Sequence, residues 1–223
     1  MKRLLFIWLL LQSCCLALVI PLSHGHAHND YVHTRPLFEA LENGFTSIEI
    51  DVYLHQGELK VAHLPFGLDK KKNIQQLYLD PIKKVIEQNG GNVYKGFVTP
   101  VIFMIDFKTG SSETYNRLKE ILKNYESMIT VYKGDSVIHQ RAINILITGN
   151  SPLNPVLKED SSVVTIDGNI NDMNNTLQYR IVGGPQTEKD IFKQSHRQTI
   201  SQGNTYNNCQ YDNPCLLFVL FKE

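Results

Sequence analysis

In Ile48-Glu49-Ile50-Asp51-Val52 two carboxylates stand two residues apart inside an apolar run. A strand with that alternation carries Ile48, Ile50 and Val52 on one face and both acids on the other. Acids aimed into a protein interior are costly unless a cation or hydrogen-bond donors meet them, and a divalent metal with oxygen ligands is the economical answer. An edge strand with a solvated acidic face is the plainer alternative. A second run, Val101 to Lys108, stays apolar until Asp106 and Lys108, which again share a face. Asp106 reads either as a third metal ligand or as a strand end surfacing into solvent. Lys108 could neutralise an anionic substrate oxygen or simply pair with Asp106. Polar residues confined to the C-terminal end of a buried strand are where a (β/α)8 barrel keeps its active site.

Histidines cluster early, at positions 24, 26, 28, 33 and 55, and His63 closes Leu59-Lys60-Val61-Ala62-His63. Two histidines at strand ends near three acids can divide general base and general acid work close to neutral pH. A different chemistry is also open, in which His26 and His28 form an opening His-x-His metal pair of another hydrolase class. Such sites usually draw further histidines from later strands, and only His139 and His196 follow His63.

The elements that would position these groups alternate. Leu18 to Leu22 is a short strand candidate running into the histidine cluster. Thr34 is placed to cap a helix over Arg35 to Leu41 that stops at Gly44. Ser47 to Leu54 and Glu58 to His63 read as strands joined across His55-Gln56-Gly57. Asp80-Pro81 resembles a cap with a first-turn proline, opening a helix that ends near Gly90-Gly91. Val101 to Phe107 is a strong strand, and Tyr115, Leu118, Ile121, Leu122 and Tyr125 have helical spacing within Ser112 to Tyr125. Ile143 to Thr148 and Val163 to Ile166 complete the clear strands, with Cys215 to Phe221 as one last candidate. Strands separated by helices imply parallel crossovers, hence an α/β sheet or barrel. A closed barrel typically takes about 250 residues, and only five or six barrel strands can be placed here. From about residue 168 onward the pattern fades.

The 223-residue chain balances 22 Lys and Arg against 22 Asp and Glu, so its net charge is zero and bulk positive charge for nucleic acid is excluded. Lys2 and Arg3 precede the apolar run Leu4 to Leu11, followed by Cys14-Cys15-Leu16-Ala17, the pattern of a secretory leader over residues 1–17. An uncleaved anchor is the alternative. The expectation is a secreted, extracellular monomer whose mature part, 18–223, is one domain. Cys209 and Cys215 then remain as an even pair, a disulfide candidate in an oxidising compartment. Asn174 opens the glycosylation sequon Asn174-Asn175-Thr176, meaningful in a eukaryotic source.

The ordered set resembles the phospholipase C-like phosphodiesterases, which include glycerophosphodiester phosphodiesterases and spider-type sphingomyelinases D. The matching pieces are Gly25-His26-Ala27-His28-Asn29-Asp30-Tyr31, Asn43-Gly44-Phe45 before Ile48 to Val52, Gly57-Glu58-Leu59 leading to His63, and Asp106-Phe107-Lys108-Thr109-Gly110. The His-Ala-His-Asn-Asp-Tyr opening is most similar to a branch of secreted or membrane-associated members. The resemblance is clear to about residue 170, with a short or divergent C-terminal part. It implies a TIM barrel, with Glu49, Asp51 and Asp106 holding one Mg²⁺ or Ca²⁺. It also implies His26 and His63 as the acid/base pair, with His28 the rival of His26, and Lys108 beside the reacting phosphate. The implied activity is phosphoric diester cleavage of glycerophosphodiesters or (lyso)phospholipids, with Phe66 and Leu68 available for a transient membrane-surface contact. Core packing explains those two side chains equally well. A catalytically inactive secreted barrel that only binds is the remaining alternative.

Overall fold

A computed structural model describes residues 19–134, 136–150, 156, 159–167 and 217–219. The leader segment, the cysteine pair Cys209 and Cys215, and Asn174 lie outside the described residues. In chain order the strands are β1 (Leu22–Ala27), β2 (Phe45–His55), β3 (Glu58–Val61), β4 (Val101–Phe107), β5 (Val131–Lys133), β6 (Ser136–His139), β7 (Ile143–Gly149), β8 (Val164–Ile166) and β9 (Leu217–Val219). The helices are α1 (Phe38–Glu42), α2 (Asp80–Gln88) and α3 (Ser111–Leu122).

Six strands pair parallel in the order β8-β7-β4-β2-β1-β9. The chain is therefore an α/β fold on a parallel strand core of the (β/α) kind. Among the described residues that order is open, with β8 and β9 at its ends. Past the reach of β1, the last residues of β2 turn back through Gln56 and Gly57, both at positive φ, into antiparallel β3. Two central residues at positive φ suit the right-handed twist of a two-residue hairpin.

Alternation sorts the sheet into two faces. Ile48, Ile50 and Val52 are buried with Phe103, Ile105, Phe107 and Ile143, Ile145, Ile147. Against them pack Ile82 of α2, with Tyr78 and Leu79 just before it, and Tyr115, Leu118 and Leu122 of α3. Each such side chain contributes roughly 1.5–3 kcal/mol on burial, which fixes the register and thereby the direction of every intervening residue. The opposite face receives Glu49, Asp51 and Asp106.

Several local expectations are corrected. The first strand is not 18–22 but Leu22–Ala27, so His24 and His26 lie within the strand rather than after it, and His28 just beyond its end. Thr34 does not cap α1. The helix is entered through Leu37 at φ 68, whose N–H donates to Asp30 Oδ2 at 2.6 Å. Asp80-Pro81 does stand in the first turn of α2, but Asp80 is not its cap: a π-helical turn over Gln75–Leu79 runs straight into α2. The start is at Asn73, where Asn73 Oδ1 accepts the Gln76 N–H at 3.0 Å and Gln76 Oε1 accepts the Asn73 N–H at 3.1 Å. That reciprocal pair is a capping box. Proline inside the helix is tolerated because the wide turn preceding it opens the backbone where its ring would otherwise clash. α3 ends at Leu122 and tightens into a 3-10 stretch, Lys123–Met128, and the hairpin β5–β6 has no counterpart among the expected strands.

Candidate active site

The parallel register of β2 and β4 sets Asp51 directly beside Asp106, with Glu49 one step back on the same face. One ligand oxygen from each of Glu49, Asp51 and Asp106 lies within 4.8 Å of the others. Asp51 is fully buried. Its Oδ2 accepts the Tyr31 hydroxyl at 2.6 Å and the Lys108 ammonium at 3.1 Å, and lies 3.1 Å from His63 Nδ1. Its Oδ1 is buried with no hydrogen-bond partner among the described residues. A buried carboxylate with one unmatched oxygen, grouped with two further carboxylates, is a fitting place for a hard cation, and three oxygen donors suit Mg²⁺ or Ca²⁺. The solvated acidic face left open by the sequence does not describe Asp51.

Lys108, just past β4, donates to Asp106 Oδ2 at 2.7 Å as well as to Asp51. Burial opposes its charge, but the hydrogen bonds and charges of Asp106 and Asp51 outweigh it and lift the ammonium above its ordinary pKa. Burial is also the main reason that Glu49 is held above the usual carboxylate range; the Asn29 N–H, donating to its Oε2 at 3.0 Å, works the other way.

The two first-strand histidines differ sharply. His26 is buried in register with Ser47, and its Nδ1 is 2.8 Å from Ser47 Oγ. Burial, with the charge of His28 second, pushes its pKa down from 6.5 to about 4. His28, just beyond the strand end, has 42% of its side chain exposed and places Nε2 3.3 Å from Glu49 Oε2. His63, just past β3, is 51% exposed beside Asp51. All seven sequence candidates, His26, His28, Glu49, Asp51, His63, Asp106 and Lys108, are thus brought to one end of the sheet. The His-x-His pair does not form a metal site with a third ligand: the triad found among the described residues is wholly carboxylate.

Three further residues organise the site. Tyr31 Oη, within hydrogen-bond reach of Asn29 Oδ1 and Asp51 Oδ2 at 2.6 Å each and His63 Nδ1 at 3.2 Å, ties the loop after β1 to the loop after β3. Burial and then the Asp51 carboxylate drive its pKa far up, so the hydroxyl keeps its proton. Asn29 sits at φ 51, a left-handed conformation that asparagine tolerates, and this aims its N–H at Glu49. Gly149, at φ 69 and beside Asp106, is the third: a Cβ there would run into Asp106 Oδ1. Asn29 and Tyr31 stand inside the quoted opening motif, which was the available signal; nothing in the sequence marks Gly149. Asp30, from the same motif, turns instead to the core, accepting Tyr78 Oη at 2.8 Å and the Leu37 N–H.

Comparison with known proteins follows the same residues. Altered inheritance of mitochondria protein 6 of Eremothecium gossypii is 31% identical over 147 residues, 59% of this chain and 38% of that protein. Its namesake in Kluyveromyces lactis is 29% identical over 182 residues, 67% and 43% of the two chains. The Saccharomyces cerevisiae protein is 32% identical over 147 residues, 57% and 37%. The chain thus spans about two fifths of the length of these curated relatives. Among solved structures, phosphatidylinositol-specific phospholipase C from Listeria monocytogenes superposes with a TM-score of 0.42 at 16% identity, covering 58% of this chain and 52% of that one. Residues 15–164, more than half of the sequence, match the AIM6-like phosphodiesterase domain, and the chain belongs to that family.

Proposed function

We propose that the chain cleaves phosphoric diesters, taking glycerophosphodiesters or (lyso)phospholipids with one divalent cation, Mg²⁺ or Ca²⁺, held by Glu49, Asp51 and Asp106. The observation that carries this reading is Asp51 itself, buried in a cluster with Glu49 and Asp106, with one oxygen engaged by Tyr31, Lys108 and His63 and the other unmatched. A bound cation supplies charge stabilisation at the non-bridging phosphate oxygens. The protein's own groups do the rest. Lys108 adds a fixed positive charge at the same side, as an oxyanion-stabilising donor does. His63, oriented through Nδ1 by Asp51 and Tyr31, presents its other nitrogen for proton transfer.

For the second proton-transfer group, exposure and position favour His28 over His26. A histidine buried against Ser47 with a pKa pushed to about 4 is neutral near pH 7 and removed from solvent. His28 stands half-exposed beside Glu49. The nucleophile is water or a neighbouring substrate hydroxyl, and the product tells which: an open phosphate or a cyclic one.

The test is phosphorus NMR of glycerophosphocholine, lysophosphatidylcholine and lysophosphatidylinositol with the full chain, with Mg²⁺ or Ca²⁺ and again with EDTA. Turnover that EDTA abolishes and that His63→Ala and His28→Ala each eliminate is the expected result. Turnover that persists in EDTA removes the metal from the reaction. Its absence from a folded chain leaves the inactive, binding-only barrel. The secreted destination, the single domain over 18–223 and the monomeric state belong to the same proposal.

A further inference from the structure

The loop after β3 is more constrained than its composition suggests. It leaves the strand at Val61 and returns so that the Val61 N–H donates to Lys72 O at 3.0 Å, closing an Ω-type loop over residues 62–72. Leu68 pins its middle, buried in a small cluster with Tyr53 and Ala62 that stands apart from the main core. Two further backbone bonds, Lys70 N–H to Gly67 O and Lys71 N–H to Leu68 O, both 3.0 Å, tighten the return. Asp69 accepts from Gln56 Nε2 at 3.0 Å and meets His55 Nε2 at 2.8 Å, fixing the loop to the β2–β3 turn.

What this frame presents outward is apolar. Leu64 is 57% exposed and Phe66 75%, with Pro65 exposed between them. Val32, 51% exposed, is the chain neighbour of Tyr31, whose hydroxyl lies 3.2 Å from His63 Nδ1, so a third exposed apolar residue stands one position from a site residue. Single exposed apolar residues need no explanation, but three beside one site, two of them on a pinned loop, do. Of the other exposed side chains of the loop, Lys70, Lys71 and Lys72 follow one another, and the one acid, Asp69, is taken up by His55 and Gln56. Of the two side chains for which rim and core packing were equally open, Leu68 is packed as the anchor and Phe66 is exposed, with Leu64 beside it.

An apolar tip backed by lysines matches the boundary of an anionic bilayer, where aromatic and aliphatic side chains enter at the headgroup level and lysines meet acidic headgroups. We infer that the 62–72 loop docks the protein on anionic phospholipid surfaces, with Leu64, Phe66 and Val32 entering the interface and Lys70 to Lys72 against the headgroups. This deepens the functional reading above, on which it rests for its purpose: it sets the mouth beside His63 against membrane-borne substrate.

Co-sedimentation of the full chain tests it without turnover, using vesicles of phosphatidylcholine alone and of phosphatidylcholine with phosphatidylserine. Binding is expected to the anionic vesicles only and to weaken with added salt. The pair Leu64→Ser with Phe66→Ser, and separately the triple Lys70→Gln, Lys71→Gln and Lys72→Gln, each lower partitioning at least about tenfold. Both variants keep the wild-type melting temperature and the wild-type rate on soluble glycerophosphocholine. No binding of the wild-type chain to anionic vesicles overturns the inference and leaves a protein as the partner of the patch. Wild-type binding by either variant overturns it equally. If the catalytic reading alone is at fault, vesicle binding persists while glycerophosphocholine stays intact; if docking alone is at fault, glycerophosphocholine is cleaved and the vesicles sediment bare.

Discussion

Asp51 gives one oxygen to the protein and leaves the other unmatched, and whether a cation takes it can be measured. Asp51→Asn keeps the shape and the partner-facing side but removes the charge that a cation requires; Mg²⁺ or Ca²⁺ affinity by calorimetry should fall by more than about tenfold. Unchanged affinity would take Asp51 out of the metal site. Tyr31→Phe deletes the hydroxyl between Asp51 and His63 while leaving the ring, so kcat should drop roughly 10–100-fold, the usual effect of losing an orienting partner, with KM little altered. A KM effect without a kcat effect would make Tyr31 a substrate contact instead. The acids were legible because strand alternation decides which way they face, whereas Lys108 and His63 stand just past their strands and were singled out by the order of motifs instead. His26 against His28 was not, because two histidines two residues apart look alike until the last strand residue, Ala27, is known. Tyr31 carried no legible role, since it works from a 3-10 turn beyond the strand, where periodicity says nothing.

At the level of elements, the strands with strict alternation were read almost to the residue: β4 and β7 match their expected spans within one position. β1 was misplaced because His24-Gly25-His26-Ala27 lacks the branched apolar residues that mark a strand, and its pairing comes from neighbours on both sides. The long helix was entered late because Asp80-Pro81 is a stronger local signal than the Asn73–Gln76 box that begins it. At the end of β7, Gly149 marks an element boundary whose requirement is steric. Gly149→Ala places a methyl group against Asp106 Oδ1 and forces a left-handed backbone on a residue that resists it. A loss of about 1–3 kcal/mol in urea unfolding is expected, together with weakened divalent-cation binding as Asp106 is displaced. A variant as stable and as metal-competent as the parent would show that the β7 end yields without moving Asp106.

For the molecule as a whole, the sheet keeps apolar side chains toward the helices and ionisable ones on the other face, and the second of these faces sets a pH dependence. His26 binds a proton near 6.5 when unfolded and near 4 when folded, held down by burial first and His28 second. Between those values the unfolded chain binds more protons, so stability rises with pH through that window and is fully present above it. The shift corresponds to about 3 kcal/mol between pH 4 and pH 7. Urea titrations at stepped pH should show this slope, and His26→Gln should flatten it; an unchanged slope would assign the dependence to other groups. The overall class, parallel strands with helical crossovers, was legible from alternation of element types, whereas the number of strands was not, because the sequence after about residue 168 carries too little pattern to place them. The sheet order has one more consequence, for the chain as it is made. β1, β2, β4, β7 and β8 are spatial neighbours in the same sequence in which they leave the ribosome. By the time Ile166 has emerged, every ionisable side chain of the site has been synthesised on or beside strands that can pair as they appear, and the outer edge of β1 waits for Leu217–Val219, which arrives later.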